Sequence, residues 1–133
     1  MRDLHNDLIS SASLNPATRT TSANGSSADL QGYEGAEILV QAGAYTDGTH
    51  AFSLEESAND STFTDVAAGD LLGSEPTVNA SAGQNKTYRF GYVGDARYIR
   101  VIVTVTGSPA TGLLAGAVIL RGKKRAAPTG AST

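Results

Sequence analysis

His5 and His50 are the only histidines of this 133-residue chain, and they bound the acid–base and metal chemistry it can support. A Ser-His-Asp arrangement would have to use His50 with Asp47 nearby, and no Gly-x-Ser-x-Gly elbow accompanies them. The plainer reading places His50 at the start of a strand, facing solvent. The two histidines lie far apart without metal-ligand spacing, and the absence of cysteine excludes thiol chemistry and Cys-based zinc sites. Glu55, Glu56, Asp60 and Asp65 form the densest carboxylate group. Glu55 and Glu56 would point to opposite faces of a strand, so by themselves they are no glycosidase pair. Asp60 and Asp65 could hold calcium with loop carbonyls, yet the alternating Asp spacing of a calcium loop is missing and a solvated acidic loop is the plainer account. Gly91-Tyr92-Val93-Gly94 is no phosphate loop, because no helix follows it. The expectation is a protein that is not an enzyme and has no catalytic residue, cofactor or metal.

The framework that must position any such residues is β structure. Ser and Thr total 27 residues, about a fifth of the chain, against three Lys and one Met, a balance that favours strands and turns over helices. The length fits one domain with a real core. Apolar runs of only a few residues predict no membrane-spanning helix. Arg2 followed at once by Asp3, His5, Asn6 and Asp7 gives no readable export signal. With 6% aromatic and 17% charged residues, a nucleic-acid binder built on stacking platforms is not expected. Asn-x-Ser/Thr sequons at Asn24, Asn59, Asn79 and Asn85 are what chance gives in a Ser/Thr-rich chain.

Residues 1–30 read as a polar, extended N-terminal arm. Asn15-Pro16 and Asn24-Gly25 are its turn signals, and one short strand is expected around Ala17–Ser22. Because few core residues lie there, loss of residues 2–14 is expected to leave folding nearly intact. Residues 31–122 read as the sandwich domain. Ala36, Ile38 and Val40 alternate with polar neighbours, as do Phe52 and Leu54, and the Asp47-Gly48 signal between them predicts a hairpin. Thr62–Val66 predicts a short strand, and Leu71 with Leu72 a single turn against the core. Tyr88, Phe90 and Tyr92 line one face of the next strand, and Ile99, Val101, Val103 and Val105 line the buried face of a long one. Leu113–Leu120 is apolar on both faces and predicts a central strand or one that meets another subunit. Residues 123–133, which open with Lys123-Lys124-Arg125, read as a basic, mobile tail. The predicted fold class is all-β, an antiparallel β-sandwich of jelly-roll type with that extended arm.

Charge is unevenly divided. Residues 1–85 hold twelve acidic groups against Arg2 and Arg19, whereas residues 86–133 hold eight basic groups against Asp95 alone. Either the two halves interleave and neutralise each other within one sheet system, or acidic and basic faces meet between subunits.

Two resemblances add to this reading. The stretch from Leu54 to Val66 and the run Arg97-Tyr98-Ile99-Arg100-Val101 resemble a pattern of discoidin-type jelly rolls over about half the chain. The Trp usual in that pattern and a Cys pair are both missing, which speaks against a secreted lectin. A fuller resemblance is to head decoration, or cement, proteins of tailed bacteriophages and gene-transfer particles. It is carried by Arg19-Thr20, Asn24-Gly25, Asp29-Leu30-Gln31-Gly32-Tyr33-Glu34, Asp65 to Gly73, Gly91-Tyr92-Val93-Gly94 and Arg97-Tyr98-Ile99-Arg100. That resemblance implies a structural virion protein on the capsid surface, made in the host cytoplasm. Its implied partner is the major capsid protein, with a homo-oligomer, a trimer first, and neither nucleic acid nor membrane. Its candidate interface residues are Arg19, Asp29, Leu30, Tyr33, Arg97 and Arg100, joined by Leu114 and Val118 of the doubly apolar strand. The alternatives are a carbohydrate-binding jelly roll, which exposed Tyr45, Phe52 or Tyr92 beside an acidic loop would favour, and a tail or connector protein.

Overall fold

In a computed structural model, which describes residues 3–124, strands build two antiparallel sheets. In chain order they are β1 (Leu8–Arg19), β2 (Ala23–Asn24), β3 (Ala28–Asp29), β4 (Tyr33–Tyr45), β5 (Thr49–Ser57), β6 (Thr64–Asp65), β7 (Leu71–Leu72), β8 (Thr77–Val78), β9 (Lys86–Tyr92), β10 (Tyr98–Thr106) and β11 (Leu113–Lys124). Sheet A has the order β1-β11-β4-β9-β7. Sheet B runs β2-β10-β5-β6, with β3 also on β10 and β8 also on β5. Strands from the start of the chain thus lie beside strands from its end, β1 on β11, β2 and β3 on β10, β4 on β9. Two sheets wound in this way are a jelly-roll sandwich.

The inward positions are those that alternation marks. Ile38, Val40, Phe90, Ala117 and Ile119 of sheet A pack on Phe52, Leu54, Ile99, Val101 and Val103 of sheet B, all buried. β11 is central in sheet A, between β1 and β4, so its second apolar face lies on the outside of the sandwich.

Several expectations change. β4 and β5 form no hairpin, because they belong to different sheets and the Asp47-Gly48 turn carries the chain across the sandwich. The buried faces of both strands are satisfied by that crossing, and a turn signal is blind to which sheet the next strand joins. The expected strand at Ala17–Ser22 is β1, which starts at Leu8 and is laddered on β11 from Leu8↔Gly122 to Arg19↔Leu113. Residues 1–30 are therefore no free arm among the described residues. Ser13 and Leu14 are buried, and the Ser13 hydroxyl donates to Ser26 O (2.8 Å) while accepting from Val101 N (3.0 Å), which ties the edge of sheet A to β10 of sheet B. Removing residues 2–14 would strip that pin and half of β1. Finally, the strand around Thr62–Val66 is reduced to Thr64–Asp65. The basic tail is strand through Lys124, and 125–133 lies outside the described residues.

The winding also accounts for the charge division. The ion pairs Arg89–Glu37, Arg97–Asp29 and Arg100–Glu55 each join a base of the second half to an acid of the first. The interleaving alternative is the one realised within the chain.

Candidate functional site

The two ends of the sandwich use their polar residues differently. At one end, the β4–β5 and β10–β11 connections are locked together. The Asp47 carboxylate accepts from Ala110 N (2.8 Å), Thr111 N (3.2 Å) and Gly112 N (2.6 Å), which holds its pKa below the ordinary carboxylate value. The Tyr45 hydroxyl bonds to Gly48 O and Asn79 O. His50 is buried rather than facing solvent, and its Nε2 lies 2.9 Å from the Asp47 carbonyl oxygen, not its carboxylate. No triad can form, since that carboxylate is occupied by backbone donors. This end is closed.

At the other end, the β3–β4 and β9–β10 connections leave a cleft of about 360 Å³ between Leu30–Ala36 and Tyr92–Arg97. Its walls are pinned from behind. Leu30 N donates to Arg97 O (2.6 Å) and Tyr33 N to Leu30 O (3.0 Å), a turn that Gly32 closes at φ +90°. Asp29 takes the Arg97 guanidinium through both carboxylate oxygens (3.0 and 2.9 Å) and the Gln31 N–H (3.0 Å). The Arg97 bond, then the Gln31 amide, hold the Asp29 carboxyl below its ordinary pKa. On the opposite wall the Tyr92 hydroxyl donates to Glu56 Oε1 (2.7 Å) and accepts from Ala96 N (3.0 Å). Burial, then Glu56, push the phenol pKa up, so the hydroxyl stays a donor. A side chain at Gly94 would strike the Tyr92 ring at 2.5–2.7 Å, so only glycine permits that wall.

Held on this scaffold, Gln31, Glu34 and Asp95 line the cleft with side chains that make no hydrogen bond among the described residues, beside the half-buried ring of Tyr33. Arg97 spends Nε and Nη2 on Asp29. The cleft thus offers two carboxylates and an amide, Gln31 and Asp95 from the connections and Glu34 from the start of β4, an arrangement that can bind hydroxyl or ammonium groups but holds no nucleophile–base pair. No group of three or more metal-ligating side chains occurs among the described residues.

Of the candidate interface residues, Asp29, Leu30, Tyr33 and Arg97 meet at this end. Arg100 lies on the outer face of sheet B, paired with Glu55 at 2.7 Å beneath the Phe63 ring. Arg19 ends β1 at the closed end and bonds Asn15 O. Leu114 and Val118 lie on the outer face of sheet A. The aromatics that would favour a carbohydrate site are not exposed, since Phe52 and Tyr92 are buried and Tyr45 is half-buried with its hydroxyl occupied. Gln31, Glu34 and Asp95 were not singled out in the sequence, although Gln31 and Glu34 fall in one stretch of the phage-head resemblance and Asp95 follows another. Glu55 and Glu56 do face opposite ways, one to Arg100 and one to Tyr92.

No family model matches this chain, and no curated protein does. Among solved structures, it is similar to truncated AlyQ with CBM32 and alginate lyase domains, at 20% identity and a TM-score of 0.39. That match covers 90% of this chain and 33% of the other, so the chain spans about a third of that protein. It is also similar to the CBM32 of AlyQ in complex with 4,5-unsaturated mannuronic acid, at 23% identity and a TM-score of 0.37, covering 84% of this chain and 92% of the other. Both structures are named for a CBM32 domain.

Proposed function

We propose that this protein is a non-catalytic binding module whose open-end cleft takes a neutral or amino-bearing saccharide. The carrying observation is the set of polar groups on Gln31, Glu34 and Asp95 that make no hydrogen bond among the described residues and line one cleft beside the Tyr33 ring. Sugar hydroxyls are donors and acceptors in equal measure, and carboxylates with an amide satisfy several of them at once. A ring flank supplies the apolar contact that a pyranose face needs. Charge narrows the class. Among the lining residues Arg97 is paired with Asp29, so Glu34 and Asp95 give the lining a negative balance, which disfavours uronic or sulfated sugars and favours neutral or amino ones.

Calorimetric titration with neutral, amino and uronic oligosaccharides tests this reading. Neutral or amino sugars are expected to bind, and Glu34→Ala with Asp95→Ala to weaken binding at least about tenfold, the value of one charged hydrogen bond. Selective binding of the uronic series, or no binding at all, would overturn it.

A second reading is favoured by where its residues fall. The phage-head stretches Asp29–Glu34 and Gly91–Gly94 contribute to opposite walls of the same cleft. On that reading the cleft end docks on a major capsid protein at the virion surface. Pelleting with bare capsids separates the two, because a saccharide site alone leaves the protein in the supernatant.

A further inference from the structure

We propose that Arg121 is a positioning residue for the open-end cleft: its guanidinium brackets the Asp29–Tyr33 turn and holds the Tyr33 ring where a bound sugar meets it. This rests on the saccharide reading and deepens it, since Arg121 itself is not among the residues that line the cleft.

Position 121 is one where alternation asks for an apolar residue. Leu113, Ala115, Ala117 and Ile119 carry the buried face of β11, and Arg121 is the next residue on that face. An aliphatic side chain there would extend the core without taking a charge out of water. A guanidinium there is partly desolvated, and its buried Nε has no hydrogen-bond partner among the described residues. Packing alone therefore does not account for an arginine at this end of the strand. Its contacts do.

Nη1 donates to Asp29 O (2.9 Å) and Nη2 to Ser11 Oγ (2.7 Å). The guanidinium carbon lies 5.3 Å from the centroid of the Tyr33 ring, within the range of a cation–π contact. Ser11 belongs to β1 of sheet A and Asp29 to β3 of sheet B, so one side chain of β11 ties the two sheets together. The contacts with Asp29 and Tyr33 fall on the two ends of a single turn. Asp29 opens it, with its carboxylate committed to Arg97 and to Gln31 N, and Tyr33 closes it through its N–H to Leu30 O. Between them lie Gln31, which supplies the amide of the cleft, and Gly32, whose φ of +90° shows how little it restrains the chain. A turn that contains such a glycine needs outside contacts to keep one shape, and Arg121 supplies one at each end.

The backbone bond to Leu30 fixes where Tyr33 starts but leaves its ring free to turn. The ring is half-buried and its hydroxyl makes no hydrogen bond among the described residues, so the guanidinium is the polar group that orients it. A sugar gains most from a ring that is already aimed, because binding then need not order it. Lysine is no substitute, since a point charge lacks the planar fork that serves two acceptors and a ring face together.

A double-mutant cycle on the full chain tests the proposal, by calorimetric titration of a neutral or amino oligosaccharide into wild type, Arg121→Lys, Tyr33→Leu and the double variant. Arg121→Lys keeps the charge and removes the fork, and is expected to raise the dissociation constant at least about fivefold. In the Tyr33→Leu background no ring remains to be aimed, and the same change is expected to alter it less than about twofold. A merely structural role would weaken binding equally in both backgrounds, and that result would overturn the proposal. Should circular dichroism show Arg121→Lys unfolded, Arg121→Gln, whose amide can still donate to Asp29 O, takes its place in the cycle. A wild-type chain that binds no neutral or amino sugar overturns the saccharide reading and this inference with it. Wild-type binding that is indifferent to Arg121→Lys overturns this inference alone.

Discussion

The closed and open ends of the sandwich are built from the same kinds of residue, yet they do opposite things with them. At the closed end, one carboxylate, Asp47, satisfies three backbone N–H groups, and one phenol, Tyr45, satisfies carbonyls of two connections. At the open end the backbone is pinned from behind by Asp29, Arg97 and Tyr92, and the side chains of Gln31, Glu34 and Asp95 make no hydrogen bond among the described residues. A polar side chain consumed by its own fold stabilises. One held in place but unconsumed is free to bind.

The largest expected contrast comes from a matched pair of glycines. Gly112, at the closed end, has φ +82°, and a Cβ there would lie 1.8 Å from Arg19 O. Gly32, at the open end, has φ +90° with nothing within 4 Å. Gly112→Ala is expected to cost on the order of 4 kcal/mol, from left-handed strain plus the clash. Gly32→Ala should cost about 1 kcal/mol, from strain alone. Urea melts of both variants check this, and equal losses would erase the distinction.

Asp47 sharpens the comparison through pH. Its folded pKa is depressed, so its contribution is full above the ordinary carboxylate range and is lost as pH falls through that range toward the folded value. Asp47→Asn is expected to lower the melting temperature at neutral pH and to flatten the acid limb of the stability profile. Asp29, also depressed, by Arg97 and the Gln31 amide, keeps its share of that limb in the Asp47→Asn variant. The smallest effect is expected at Glu34→Ala and Asp95→Ala, which should change stability by less than about 0.5 kcal/mol, because both side chains are exposed and make no hydrogen bond among the described residues. A large loss at either would mean that the open end is structural too.

The fold was legible where period-two alternation carried it. Ile99, Val101, Val103 and Val105 announce the buried face of β10, and the doubly apolar Leu113–Leu120 announces a central strand. What failed was long-range pairing. Asp47-Gly48 reads as a hairpin turn, but its carboxylate bonds to residues 110–112 and the chain changes sheets. β1 reads as an arm because Ser10, Ser11 and Ser13 are polar, while the Ser13 hydroxyl is buried against Val101, 88 residues on. Gln31, Glu34 and Asp95 show neither periodicity nor motif. Only the return of β9 beside β4 brings the loops that carry them together.

The most direct test of the open end is an amide chemical-shift titration of the full chain with a neutral oligosaccharide, run beside a uronic one. The neutral sugar is expected to move amides of residues 30–36 and 92–97 while those of residues 45–49 and 107–112 stay still. Shifts at the closed end, or stronger shifts with the uronic sugar, would contradict the account.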